Sequence, residues 1–413
     1  MLKPAIDHGP WMIHGDIGAM TIGFSSASPC GAALEYRKMG ADWEKIFQSE
    51  GGQIVTAEKR HIFHLSDLTA GAEYEFRAIA FDPETGEEVC KEGRFTAFDP
   101  ERKDYSFLVL ADLQFPVEKR LELLKKYYEM CHGDQCDFTV FLGDLLGSID
   151  DFERDGLSSV IDLLQQTGYL KRPIFLVRGN HEMRGKAAWE WNRWFGSPEG
   201  NSYSTFRQGP AAFLLLDSWT DQPSTNQGFQ LNLDQEFLKG EKQFLEKALF
   251  EDPFQSAPFK LVMAHGASHS HIDQFYFLNP NMRNLTDPYF KGKSPLVPIH
   301  AWICGHIHHY IRTIPGKAQC ASISCPPQPV TTPENYSFPV LTADGPDVIR
   351  EIVPPSGIQS SVFLVHVSEK ALDIQAWSEE KGLLDHILIQ PDRKIVEKRS
   401  IPHYNWKSEN PEP

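Results

Sequence analysis

The chain of 413 residues predicts an α/β protein in two parts. A small all-β sandwich is expected over residues 1–102 and a larger α/β unit with a parallel sheet over residues 103–413. Three observations predict this. Residues before 102 hold short apolar/polar alternations separated by turn clusters, with no helical period. From residue 105 apolar runs alternate with helical patterns. Five of the later apolar runs end in a side chain that can bind metal.

The first part carries the runs MTIGFSS, AALEYRK, HIFHLSDL and YEFRAIAF. Turn residues such as Ser28-Pro29, Gly51-Gly52 and Pro83-Glu84-Thr85-Gly86 divide them. No catalytic residue types cluster here. A polar stretch with a proline, Phe98 to Asp104, marks the boundary. Beyond it, apolar runs at 106–111, 138–142 and 173–177 flank helical patterns at 117–131 and 151–168. This βαβαβ order implies a parallel sheet with right-handed crossovers. Runs at 211–216, 259–264 and 299–304 extend it, with a helix expected at 234–250. Val362–Val367 and Ala371–Trp377 form a hairpin. The Pro-, Ser- and Thr-rich stretch 321–358 is expected to be a surface loop.

The five strand ends are Asp112 with Gln114, Gly143-Asp144, Gly179-Asn180-His181-Glu182, Val262 to His265, and Gly305-His306-Ile307-His308. One polar strand end is ordinary; five in succession are poorly explained by core packing. In open α/β sheets ligands bind beyond the carboxyl ends of the strands. A pair of cations needs a bridging carboxylate and mixed nitrogen and oxygen donors. Asp144 suits the bridge, Asp112 one metal, and Asn180, His265 and His306 the other, with His308 returning to the first. These donors favour Zn, Mn or Fe over Ca or Mg alone.

Charge and composition exclude other classes. The net charge of −16 repels nucleic-acid phosphates, and no basic run inverts it, so no nucleic-acid partner is expected. No apolar run reaches the roughly 20 residues that span a membrane. Seven cysteines include no Cys-x-x-Cys; free buried thiols suit a reducing, cytoplasmic setting. The start of the chain does not read as a signal peptide, although an exported chain whose leader had been removed would look alike.

These residues in this order resemble the calcineurin-like metallophosphoesterase superfamily, nearest its purple acid phosphatase-like bacterial members. Glu182 after Asn180-His181, the run from Gly305 to Tyr310, and the segment Tyr203 to Phe206 followed by Phe213 to Ser218 strengthen the likeness. Leu68 to Arg77 resembles the late-strand signature of fibronectin type III-like domains, in which Tyr74 would pack back at a sheet corner. The resemblance implies a metallophosphoesterase α/β/β/α sandwich preceded by a fibronectin III-like sandwich. It also implies two metal ions that activate water for in-line attack on a phosphomonoester or phosphodiester of small size. His181 would face the substrate, and Glu182 would orient a histidine. His269 or His271 would contact the phosphate or leaving group, with a solvated loop position as the bland alternative. Tyr310 could wall the pocket.

Two departures stand out. The superfamily usually has a histidine where this chain has Gln114. Purple acid phosphatases have a ferric-binding tyrosine where it has Gly147. The first metal then keeps Asp112, Asp144 and His308. Gln114 could add its amide oxygen, a water or another residue could complete the set, or the position could stay mostly empty. The last outcome leaves a one-metal or inactive binding protein. The loops at 183–202, 218–232 and 266–295 are rich in aromatics, among them Trp189, Trp191, Trp194 and Trp219. They could stack on a base or sugar, or pack on each other.

Overall fold

The computed structural model describes residues 3–219, 233–267, 280–308, 310–315, 321–322, 336–343, 345 and 360–399. Two large sheets face each other. In the first, strands Asp104–Leu110, Phe138–Phe141 and Ile174–Leu176 run parallel, with Phe138 beside Phe107 and Thr139 beside Ile174. The hairpin expected near the end is present as Val362–Ser368 and Leu372–Ser378, and its first strand pairs antiparallel with Asp104–Leu110. The runs expected to extend this sheet form a second one instead: Ala211–Leu216, Phe259–Ala264, Ala301–Cys304 and Val340–Thr342 run parallel, and Ser204–Gln208 closes one edge antiparallel.

Alternation along the strands explains the layers. Phe107 and Val109 point into the core between the sheets, whereas Leu108 and Leu110 point to the outer helices. Helix Val117–Met130 lays Leu123, Leu124 and Tyr127 on that outer face. On the opposite face of the molecule, helices Asp234–Ala248 and Pro280–Phe290 cover Leu214, Val262 and Trp302. The result is the α/β/β/α sandwich. Its middle is aromatic: Phe206 stacks on Phe175 at 4.0 Å and on Phe213 at 4.4 Å.

The N-terminal part is all-β as expected, but its sheet does not end at the linker. Strand Ile6–Asp16 pairs in parallel with Ile174–Leu176 and antiparallel with the 20-residue strand Ala19–Lys38. One sheet of 13 strands therefore runs through both parts. Ala19–Lys38 changes register between Ser25 and Cys30; its first half pairs with Glu58–Leu65 and its second with Glu73–Phe81. Such a break lets one strand serve both faces of a sandwich. Tyr74 is buried, stacks on Phe95 at 5.4 Å, and accepts the backbone N–H of Thr69 at 2.9 Å. Phe98, in the polar linker, is also buried and packs edge-on to Phe206 in the core between the sheets.

Three local expectations need correction. The helical stretch after Gly147 begins as a π-helix, Glu153–Asp162, before turning α at Leu163–Thr167. The expected loop at 321–358 contains the buried strand Val340–Thr342, because Val340, Leu341 and Thr342 pair with Ala301–Cys304 in the second sheet. Tyr310 is no pocket wall: it is fully buried and donates its hydroxyl to Asp385 at 2.7 Å. Arg312 pairs with the same carboxylate, so a buried Tyr310–Asp385–Arg312 cluster ties the second sheet to strand Gly382–Ile389 of the first. Among the described residues no helix is long and apolar enough to cross a membrane.

Candidate metal centre

Each strand of the parallel core turns abruptly where it ends. Asp112, Asp144, His306 and His308 all have positive φ, at 54°, 54°, 76° and 54°. Non-glycine residues rarely adopt this region, and strain of this kind concentrates at functional sites. Glycines make room beside them. A Cβ on Gly143, itself at φ 81°, would lie 2.5 Å from the Gly179 nitrogen. One on Gly305 would lie 2.3 Å from Oδ2 of Asp112. The strand ends are latched to each other by backbone bonds from Asp112 to Gly143 and from Leu113 to Asp144.

The turns aim the side chains at one point. Ligand atoms of Asp144, His265 and His306 lie within 4.8 Å of one another, and so do those of Asp112, Asp144 and His308. Asp144 belongs to both groups. Its Oδ2 is 3.2 Å from Nε2 of His265, and its Oδ1 accepts the backbone N–H of His181 at 2.9 Å. Asn180 Oδ1 stands 2.9 Å from Nε2 of His265 and 3.1 Å from Nδ1 of His306. His308 Nε2 is 3.4 Å from Oδ1 of Asp112, whose Oδ2 accepts the backbone N–H of His306 at 2.8 Å.

The donor set fits metal ions. His265 Nδ1 donates to the carbonyl of Leu142 at 2.7 Å, which directs Nε2 into the site. There it meets the oxygens of Asn180 and Asp144, both acceptors. Among the described residues, Asp112 Oδ1 and Gln114 Oε1 are buried without a hydrogen-bond partner, Asp112 Oδ1 having only the His308 contact at 3.4 Å. A concentration of acceptors this far from water calls for positive charge. The titration behaviour says the same. Burial pushes the Asp144 carboxyl up, but His265 and His181 outweigh it and hold it well below the usual range. Burial opposes a proton on His265, yet the charge of Asp144 and the bond to it prevail and push the imidazole up to about 10.

Gln114 is inside the site. Its Nε2 donates to Asp144 Oδ2 at 2.8 Å, so its oxygen faces away from that carboxylate. Glu182 does not orient a histidine. It is fully buried and accepts three backbone N–H groups at 2.8 Å each: Oε2 takes those of Asp144 and Gly179, and Oε1 that of Leu145. It therefore holds two of the turns. Burial raises its carboxyl to about 7, helped by the charge of Asp144. His181 donates Nδ1 to the carbonyl of Gly147 at 2.8 Å. Burial lowers its pKa, and the Arg184 guanidinium adds to this while Asp144 opposes it.

Two residues were missed by sequence reasoning. Arg184 places Nη1 2.7 Å from Nε2 of His181, and Gly345 packs so close to Asp112 that a Cβ would lie 2.0 Å from its Cβ. Neither carries a sequence signal, because each acts through a neighbour that folding supplies. His269 and His271 lie outside the described residues. So do Phe229, Phe275, Tyr276 and Phe277 of the aromatic loops. Trp191 is buried against Phe195, Trp194 stacks on Phe152, and Trp219 stacks on Phe237. Packing claims these three; Trp189 is the exposed one.

Residues 105–310 match the family model of the calcineurin-like phosphoesterases. This chain carries a calcineurin-like phosphoesterase domain. Metal-dependent phosphoester hydrolysis is the chemistry of the family, and the residues that meet at the strand ends suit it. Two solved structures share the fold of the phosphoesterase domain together with its N-terminal part. A purple acid phosphatase from seeds of yellow lupin (Lupinus luteus) is 15% identical, with a TM-score of 0.64, over 98% of this chain and 78% of that one. A PhoD structure is 11% identical, with a TM-score of 0.63, over 96% of this chain and 92% of that one. No curated protein matches by sequence.

Proposed function

We propose that the chain is a phosphoester hydrolase with a dinuclear centre, acting on a small phosphomonoester or phosphodiester. The observation that carries this reading is the double membership of Asp144 in two ligand groups. Asp144, Asn180, His265 and His306 would hold one ion. Asp112, Asp144 and His308 would hold the other, with Gln114 adding Oε1 after a half-turn of its amide. Zn, Mn or Fe suits this mixture of donors. When bound, such ions supply a hydroxide at neutral pH and polarise phosphoryl oxygens.

The chain's own residues do the rest. Asp144 is kept ionised by the histidines around it. Glu182 fixes the turns that carry Asp144 and Asn180. His181, steered by the carbonyl of Gly147, holds Nε2 3.7 Å from Asp144 Oδ2; with a proton on Nε2 it would stabilise charge on the reacting phosphate or protonate the leaving oxygen. Arg184 adds a cation beside it, useful in a chain of charge −16 that must attract an anion.

The test is hydrolysis of p-nitrophenyl phosphate and its bis-ester by protein reconstituted with Mn, Zn or Fe. Turnover that falls roughly 100- to 10,000-fold in His181→Ala supports the reading. No turnover with any metal, in folded protein, would sink it. The bond from Gln114 nitrogen to Asp144 favours a second reading, in which the first position is weak and the chain binds ligands without turnover. One retained ion per chain with no hydrolysis would select it.

A further inference from the structure

A second group of metal-ligating side chains lies away from the centre, where the N-terminal strand crosses the π-helix. His8 is buried, with a side chain only 6% exposed. Its Nδ1 lies 2.9 Å from both carboxylate oxygens of Asp162 and donates to them. In the neutral imidazole that bond leaves the lone pair on Nε2, which is buried and has no hydrogen-bond partner among the described residues. Nε2 faces Asp7, whose Oδ2 is 3.5 Å away, and atoms of Asp7, His8 and Glu153 lie within 4.8 Å of one another. The bond to Asp162, with the charges of Asp7 and Glu153, raises the His8 pKa, so Nε2 calls for a cation, and a metal ion there would compete with a proton.

The geometry matches what a metal requires. An imidazole that binds metal usually donates its other nitrogen to a carboxylate, the arrangement of Asp162 and His8. Ligands 2.0–2.2 Å from a tetrahedral zinc stand about 3.4 Å apart, close to the His8–Asp7 separation. The helix winding contributes too. Glu153 and Asp162 are nine residues apart, about 2.5 turns of an α-helix, which would set them on opposite faces. The wider i→i+5 turn of the π-helix brings nine residues close to two whole turns, so both carboxylates reach His8. Glu153 also meets Lys59 at 3.3 Å. Both groups are half-exposed, and such a pair contributes little and yields readily to a stronger cation.

We propose that Asp7, His8 and Glu153 form a further divalent-cation site of zinc type, with Asp162 orienting His8 and water completing the shell. It would staple the N-terminal strand to the helical layer of the phosphoesterase domain. The site is independent of phosphoester chemistry.

The test compares the full chain with the double variant Asp7→Asn/Glu153→Gln, which alters exposed carboxylates and spares buried His8. Each is stripped, loaded with zinc and dialysed, and its zinc content is measured. The variant is expected to hold one ion fewer per chain, with turnover within twofold of the parent and a smaller zinc-induced rise in Tm. Asp162→Asn is expected to weaken zinc binding at this site roughly 10- to 100-fold. The one-ion difference persists in an Asp144→Asn background, where the main centre is disabled, so failure of the two readings is distinguishable. Equal zinc content in folded parent and double variant would overturn the proposal and assign a proton, not a metal, to the space beside His8.

Discussion

His265 and His306 bring their imidazole nitrogens, Nε2 and Nδ1, to 3.2 Å of each other against the same oxygen of Asn180. Two ring nitrogens and an amide oxygen this close form the donor set expected of a shared cation. Removal of one ligand should therefore release an ion rather than merely loosen a loop. His306→Ala is expected to lose one bound metal and more than about 100-fold in turnover, since even partners outside a ligand shell contribute 10- to 100-fold. Metal content and kcat measured on the same sample check this. Full metal retention in the variant would count against the ligand assignment.

Gln114 is the weak point of the first position. Gln114→His should increase retention of the second ion through dialysis, whereas Gln114→Ala should reduce it. Gly147 cannot supply a phenolate, so iron-loaded protein is expected to lack a strong visible charge-transfer band. An absorption spectrum decides the matter, and an intense visible band in the parent protein would refute it. A Cβ on Gly147 meets nothing within 4 Å, so Gly147→Tyr should fold and offers the matching control.

Glu182 serves as a backbone clamp, which predicts a stability effect separate from catalysis. Glu182→Leu leaves the N–H groups of Asp144, Leu145 and Gly179 without their acceptor. A buried donor left unsatisfied costs about 1–3 kcal/mol. A loss of at least about 3 kcal/mol is expected in urea unfolding, even in metal-free protein. An unchanged midpoint would show that these turns are held by other contacts.

The Asp385–Arg312 pair is buried on both sides, each side chain 2% exposed. Asp385→Ala would leave the buried Arg312 guanidinium with Glu397 alone, 3.2 Å away, and take the acceptor from the Tyr310 hydroxyl. Breaking such a pair from one side typically costs about 3–5 kcal/mol. Denaturant unfolding should show this loss, and an effect under 1 kcal/mol would mean that water reaches the site.

His61 predicts a pH dependence in the N-terminal sandwich. Burial lowers its pKa from 6.5 to about 4, and the nearby Arg60 charge acts in the same direction. Its Nδ1 donates to Gln48 at 2.6 Å, and its Nε2 faces the Ser26 hydroxyl at 2.9 Å. The folded chain keeps His61 neutral where the unfolded chain would protonate it. Its contribution is full above about pH 6.5 and is lost as pH falls toward 4, by roughly 3 kcal/mol at most. Urea midpoints at pH 7.5 and 4.5 should differ less in His61→Gln than in the parent. Equal pH dependence in both would rule His61 out as the cause.

Much of the framework was legible in the chain because it depends on local pattern. The run at 211–216 and that at 259–264 became strands at the expected residues, since six-residue apolar runs are too short for a buried helix and their place in the βα alternation fits a strand. Tyr74, singled out by the fibronectin type III-like signature of Leu68 to Arg77, is buried against Phe95 with its hydroxyl bonded to Thr69. The strand at Val340–Thr342 was hidden, because two apolar residues and a threonine in a Pro-rich stretch become a strand only when a neighbour offers free hydrogen-bonding groups. The π winding of Glu153–Asp162 was equally hidden, since its composition reads as helical in either winding.

The sequence by itself determined which residues could reach a common centre. Each apolar run marks a strand end, at Asp112, Asp144 and Asn180 in the first sheet and at His265 and His306 in the second, and the packing of the two sheets brings those ends together. Tertiary structure decided what each does there. Glu182 took three backbone donors because folding set the Asp144 and Gly179 turns within its reach, and Arg184 came to His181 through a turn that no pattern encodes. It also decided that His8, Asp7, Glu153 and Asp162 meet, since they come from segments roughly 150 residues apart that share no period. Local periodicity specifies direction along an element; the distance between charges on different elements is specified only when the sheets and helices pack.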